Sequence, residues 1–107
     1  MSRVEALMVR IYLSESDHVL KALLACLHDD LGVRGVTVMR GIEGYGASGK
    51  RHGAASLIDL SLDLPLVVEF FDRPEKAASA ITRVERFVRP GHIVSWPITV
   101  EFEESEC

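Results

Sequence analysis

The spacing of hydrophobic positions changes repeatedly along the chain, and each change marks an element. From Val4 to Leu13 the pattern alternates, with Leu7, Val9, Ile11 and Leu13 on one side and Met8, Arg10 and Tyr12 on the other. Period two predicts a strand. Ser14-Glu15-Ser16-Asp17 then supplies a helix start, and Val19, Leu20, Leu23, Leu24, Leu27 and Leu31 recur at three- and four-residue steps up to Gly32. Gly35 to Arg40 reads as a second strand. Gly41 to Leu64 holds five glycines and no sustained period, with a short helical turn hinted at by Leu57, Leu60 and Leu64. Pro65 to Phe71 is apolar almost throughout and predicts a third strand. Asp72-Arg73-Pro74-Glu75 has the form of a capping box with proline in the first turn. Ala77, Ile81, Val84 and Val88 form the stripe of a second helix, which Pro90-Gly91 ends. Ile93 to Phe102 is a fourth strand. Pro97 cannot donate to a ladder, so that strand belongs at an edge or carries a bulge.

The order β-α-β-β-α-β predicts an α+β fold, a ferredoxin-like sandwich: one four-stranded antiparallel sheet with both helices on one face. The other face, carrying Met8, Thr37 and Met39, is left bare. A half-apolar bare face is unusual on a small monomer, so association through it is expected.

Composition narrows the setting. The chain has 107 residues, which suits a single domain over 1–107, and 48% of them are apolar. A net charge of -4 argues against a general nucleic-acid binder. Cys26 lies in the apolar stripe and Cys107 is the last residue, so neither belongs to a disulfide framework. No segment has the form of a signal peptide or a bilayer span, so no direct membrane insertion is expected and a cytoplasmic protein is the default.

Gly44 to His52 carries the candidate chemistry. Gly44-Tyr45-Gly46-Ala47-Ser48-Gly49 matches the dinucleotide fingerprint, and Gly44 through Lys50 matches a phosphate loop lacking its final hydroxyl, because Arg51 takes that place. Both motifs require a helix opening directly from the loop, and no amphipathic helix follows. Both matches are therefore coincidences of glycine content. The underlying chemistry survives. Glycines let backbone N–H groups converge on an anion, and Lys50, Arg51, His52 and, at the root, Arg40 add positive charge.

Arg40-Gly41-Ile42-Glu43-Gly44-Tyr45-Gly46-Ala47-Ser48, His52, and Leu60-Ser61-Leu62-Asp63-Leu64-Pro65-Leu66-Val67-Val68-Glu69 together resemble the domain of unknown function 190 family of the PII-like superfamily. Val9-Arg10-Ile11-Tyr12 and Gly35-Val36-Thr37-Val38 match it as well. The resemblance runs from about Leu7 to Val100. It implies a homotrimer with sheet faces packed inward, and makes residues 41–64 a T-loop-like connection that contacts a partner, a membrane transporter or channel being the implied class. It also implies adenine nucleotides or other small anions as effectors, bound in clefts between subunits. Gly41, Gly44, Tyr45, Gly46 and Ser48 would line the cleft, with Lys50, Arg51 and His52 further out. The glycine- and lysine-rich phosphate loop of true PII proteins is reduced here to Val88-Arg89-Pro90-Gly91-His92, leaving Arg89 and His92 to supply charge.

Other chemistries fit less well. A CutA-like divalent-metal-binding trimer is the alternative, but His18, His28, His52 and His92 include no i, i+4 pair. Ser48, His52 and Glu43 are a nominal triad on a glycine-rich loop, a poor setting for fixed catalytic geometry, so no enzyme is expected. Arg83, Arg86 and Arg89 read as a solvated face, Trp96 as packing, and the acidic tail at Glu101, Glu103, Glu104 and Glu106 as solvated. Glu69, inside a very apolar strand, calls for a cation such as Arg10 on a neighbouring strand.

Overall fold

The structure is a computed structural model that describes residues 2–45, 51–53 and 64–102, with backbone alone for 43–45 and 51–53. Strand β1 spans Ser2–Ser14, a single 3-10 turn covers Glu15–Asp17, and helix α1 covers Leu20–Ala25. Strand β2 is Val36–Arg40, a short ribbon pairs β3 (Glu43–Tyr45) with β4 (Arg51–Gly53), and β5 is Pro65–Asp72. Helix α2 covers Pro74–Val84 and β6 covers Ile93–Phe102. The main sheet is antiparallel in the order β2-β5-β1-β6. This is the expected ferredoxin-like arrangement, with Pro97 on an edge strand.

The alternation in β1 sorts as expected. Val9, Ile11 and Leu13 are buried against the helices, together with Leu66, Val68 and Phe70 of β5. Leu23, Cys26 and Leu27 close the core from α1 and the turn that follows it, and Ala77, Ala80 and Val84 close it from α2. The small alanines let α2 approach the sheet closely, while Phe70 fills the space beneath. Cys26 is a buried apolar thiol.

Three local expectations are corrected. The first helix does not run directly from Ser14. The Ser14 N–H donates to Asp17 Oδ2 at 2.8 Å, closing one tight turn, and His18 then takes a left-handed φ of 54° before α1 begins. The last turn, Cys26–Asp30, is widened to π geometry, with the Leu31 N–H reaching Cys26 O at 3.0 Å. Gly32, at φ +58°, ends it as expected, in a conformation that needs no Cβ. At the second helix the N-cap is Arg73, and Asp72 forms no capping box. The Asp72 carboxylate is instead almost fully buried, accepting the Arg34 N–H at 3.1 Å and the Arg73 N–H at 2.8 Å. Burial of a carboxylate demands such donors, and this pair of bonds ties the α1–β2 connection to the end of β5. The hinted helical turn at Leu57 and Leu60 lies outside the described residues, whereas Leu64 is buried.

Candidate functional site

The parallel course of β1 and β2 brings three segments to one end of the sheet. Ser14 pairs with Pro65, Arg40 pairs with Leu66, and Ile11 pairs with Ile93. The turn after β1, the two roots of the long connection, and the turn before β6 therefore lie at the same end.

The roots are tied at close range. The Gly41 N–H donates to Pro65 O at 2.7 Å, just where the chain leaves β2 and re-enters β5. A Cβ on Gly41 would lie 2.7 Å from Pro65 Cγ, so the approach is open only to glycine. Glu15 binds both roots at once. Its N–H donates to Leu64 O at 3.1 Å, and its carboxylate lies 2.9 Å from Arg40 Nε. Beyond the roots, the β3–β4 ribbon pairs Gly44 with His52 and Tyr45 with Arg51. The same register places Gly44, and not Glu43, opposite His52.

The turn before β6 is held from the other side. Gly91 has φ +85°, the His92 N–H closes on Arg89 O at 3.2 Å, and the Tyr12 N–H donates to His92 O at 2.9 Å. His92 Nδ1 lies 3.2 Å from Pro90 O. Arg89 Nη2 stands 3.8 Å from Asp17 Oδ1. Val88, Arg89, Pro90, Gly91 and Ile93 contribute to an open pocket of about 480 Å³. Of the arginine row, Arg83, Arg86 and Arg89 are all exposed, and Arg86 lies over the Phe87 ring at 4.7 Å.

Thus Arg40, Gly41, Arg89 and His92 share one end of the sheet, and the backbone of Gly44, Tyr45, Arg51 and His52 forms the ribbon that rises from it. Gly46, Ser48 and Lys50 lie outside the described residues. Sequence reasoning missed the roles of Glu15 and Asp17. They read as helix-start residues, yet Glu15 reaches the connection and Asp17 faces Arg89. Only the register that sets β1 beside β5 and β6 brings those partners near.

The open sheet face carries a second constellation. Arg10 and Glu69 are directly opposed across β1 and β5 and form the expected ion pair, through both Nε and Nη2 to Glu69 Oε2. The Arg10 guanidinium also lies 5.1 Å from the Trp96 ring centroid. Its pKa is raised above the usual arginine value, first by hydrogen bonding with Tyr12 and then by Glu69. Register places Met8, Trp96, Ile98 and Val67 on this same face. Tyr12, Met39 and Val94 are left 39%, 43% and 39% exposed, so a semi-apolar surface surrounds the ion pair.

Among the described residues, no three His, Cys, Asp or Glu side chains cluster as a metal site, and no helix is long and apolar enough to cross a membrane.

Comparison with known proteins places this architecture. The nitrogen regulatory PII-like protein CPII from Thiomonas intermedia K12, bound to ADP, AMP and bicarbonate, superposes with a TM-score of 0.70 at 17% identity, over 92% of this chain and 91% of that one. A putative PII-like signalling protein from Thermus thermophilus gives 0.63 at 18% identity, over 99% and 97%. CutA1 from Oryza sativa gives 0.59 at 13% identity, over 96% and 86%. These likenesses establish a common PII-like fold. The family model of DUF190, described as uncharacterised, matches residues 6–100. With nearly the whole chain matched and a PII-like sheet beneath it, the protein belongs to the DUF190 family.

Proposed function

We propose that the chain is the subunit of a PII-like regulator, a homotrimer that binds a small anionic, nucleotide-like ligand between subunits and contacts a partner protein through residues 41–64. The observation that carries this reading is the placement of Arg40 and Gly41 after one edge strand, and of Arg89 and His92 before the other, at the same end of the sheet from which the long connection rises. A regulator needs its ligand site and its signalling element to share a root, because a ligand shifts an equilibrium only through contacts that differ between two states. The CPII structure bound to ADP, AMP and bicarbonate supports the choice of ligand class. The open face around Arg10 and Glu69 is the surface proposed to meet the other subunits. In this reading the protein works in the cytoplasm without catalysing a reaction, and the partner belongs to the class of membrane transporters or channels.

The test has two arms. Analytical ultracentrifugation is expected to give a trimer. Thermal shift with ADP, AMP and bicarbonate is expected to raise Tm, since a ligand at a hundred times its Kd stabilises by about 2.7 kcal/mol. Arg89→Ala is expected to abolish the shift while leaving the trimer intact. A monomer, or no shift with any of the three, refutes the reading. Zinc and copper titrations by calorimetry address the CutA-like alternative.

A further inference from the structure

The junction between β1 and α1 stands beside the end of β2, and the two leave an open pocket of about 550 Å³ between them. Its apolar wall is made by Leu20, Val38 and Leu66. Its polar side chains are Glu15, His18, Lys21 and Arg40. Register shows why Arg40 is there: it is opposite Leu66, a core residue, and so lies on the helix side of the sheet. His18 and Lys21 come from the other wall, which is a different part of the chain. Three nitrogen-bearing side chains from two separate elements therefore converge on one space.

The acid among them is poorly satisfied. Glu15 Oε1 lies 2.9 Å from Arg40 Nε, close enough for an ion pair. That oxygen is also sealed from solvent, yet among the described residues no donor meets it with hydrogen-bond geometry. The attraction is coulombic without the directional part that makes such pairs strong. His18 adds a second sign of tension. It is the only non-glycine residue with positive φ among the described residues, at 54°, and it lines the pocket. A side chain held in that conformation costs about 1–3 kcal/mol, and such positions cluster where ligands are gripped. Arg40 and Lys21 are two cations against the one carboxylate of Glu15, so positive charge is in excess in the pocket.

We infer that this pocket binds a phosphate-class oxyanion, held by His18, Lys21 and Arg40, and that Glu15 is its built-in competitor for Arg40. Phosphate offers several acceptor oxygens to donors arriving from different directions, which suits a pocket whose cations come from two walls. Binding transfers Arg40 from the carboxylate to the anion. It thereby releases the side-chain half of the Glu15 clamp, while the Glu15 N–H stays on Leu64 O. The site is distinct from the proposed intersubunit cleft except that Arg40 serves both.

The test is calorimetric titration of the full chain with inorganic phosphate. Glu15→Gln removes the competitor, and association is expected to tighten about two- to fivefold, the range that a partly exposed ion pair supports. Lys21→Ala is expected to weaken association, and Lys21→Ala/Arg40→Ala to abolish it. Backbone amide shifts by NMR are expected to centre on His18 and Lys21, and circular dichroism verifies that each variant is folded. Failure of Glu15→Gln to tighten binding overturns the inference, as does phosphate binding that survives in the double variant. Phosphate binding that is absent from both the wild type and Glu15→Gln overturns it too. AMP as competitor distinguishes the sources of the anion. Displacement of phosphate by AMP in the Arg89→Ala variant, in which the proposed cleft no longer takes nucleotide, names a nucleotide phosphate as the occupant, whereas independent binding leaves free phosphate. Loss of nucleotide binding on Arg89→Ala, with phosphate binding retained, separates this site from the proposed cleft.

Discussion

Replacing Gly41 by alanine puts the root of the long connection to a direct test. The added Cβ would stand 2.7 Å from Pro65 Cγ, while Pro65 O and Cβ, at 3.4 and 3.5 Å, make close but tolerable contacts. The ring is tied to the backbone at both ends and can move Cγ only by repuckering, and the 2.7 Å bond from Gly41 N–H to Pro65 O draws the same two residues together. Relief therefore requires β2 and β5 to separate at their ends. Overpacking of this kind costs about 1–3 kcal/mol. Alanine also restricts the unfolded chain, which returns about 0.4–1 kcal/mol. The expected net loss is about 0.5–2 kcal/mol, read as a lower urea midpoint with unchanged m-value. Pro65→Ala removes Cγ and leaves the other two contacts. Gly41→Ala in that background is then expected to cost much less, giving a coupling of about 1 kcal/mol in a double-mutant cycle. Equal costs in both backgrounds, or a Gly41→Ala protein as stable as the parent, would refute the reasoning.

Further outcomes follow from the same contacts. Asp72→Ala leaves the N–H groups of Arg34 and Arg73 without their buried acceptor, and a loss of about 1–3 kcal/mol is expected in chemical denaturation. Leu27→Ala empties a fully buried position between the first helical segment and the sheet, with an expected loss of about 2–5 kcal/mol. His18→Gly relieves a left-handed backbone; the lost strain and the added unfolded-state entropy oppose each other, so stability should change by less than about 1 kcal/mol while phosphate affinity falls. Met39→Glu adds charge to the open face beside Glu69 and is expected to shift sedimentation towards smaller species without unfolding the chain.

Much of the fold was legible because burial leaves a periodic trace. Val9, Ile11 and Leu13 alternate with Arg10 and Tyr12, and the register keeps those two sets on opposite faces. The Arg10–Glu69 pair was legible for a related reason: a carboxylate in an apolar strand requires a cation, and an adjacent strand offered one. The β3–β4 ribbon was not legible, since three-residue strands among glycines carry no period to read. Asp72 misled because a carboxylate before Arg73-Pro74 has the composition of a cap, while its actual donors include Arg34, distant in sequence. The cationic pocket escaped for the same cause. His18 and Lys21 have no local spacing with Arg40, and only the fold, which sets the β1–α1 junction across a pocket from the end of β2, makes them neighbours.

Glu15 has a consequence for how this domain can be altered. Because one residue binds Leu64 with its backbone and Arg40 with its side chain, and Gly41 binds Pro65, the two ends of the connection are stapled before it begins. The ends are thus already closed by the domain itself, whatever lies between them. Doubling a closed loop costs only about 0.6 kcal/mol. The segment between Gly41 and Pro65 is therefore a natural socket. Sequences of other lengths, or a reporter peptide, can be exchanged there while the sheet keeps its register.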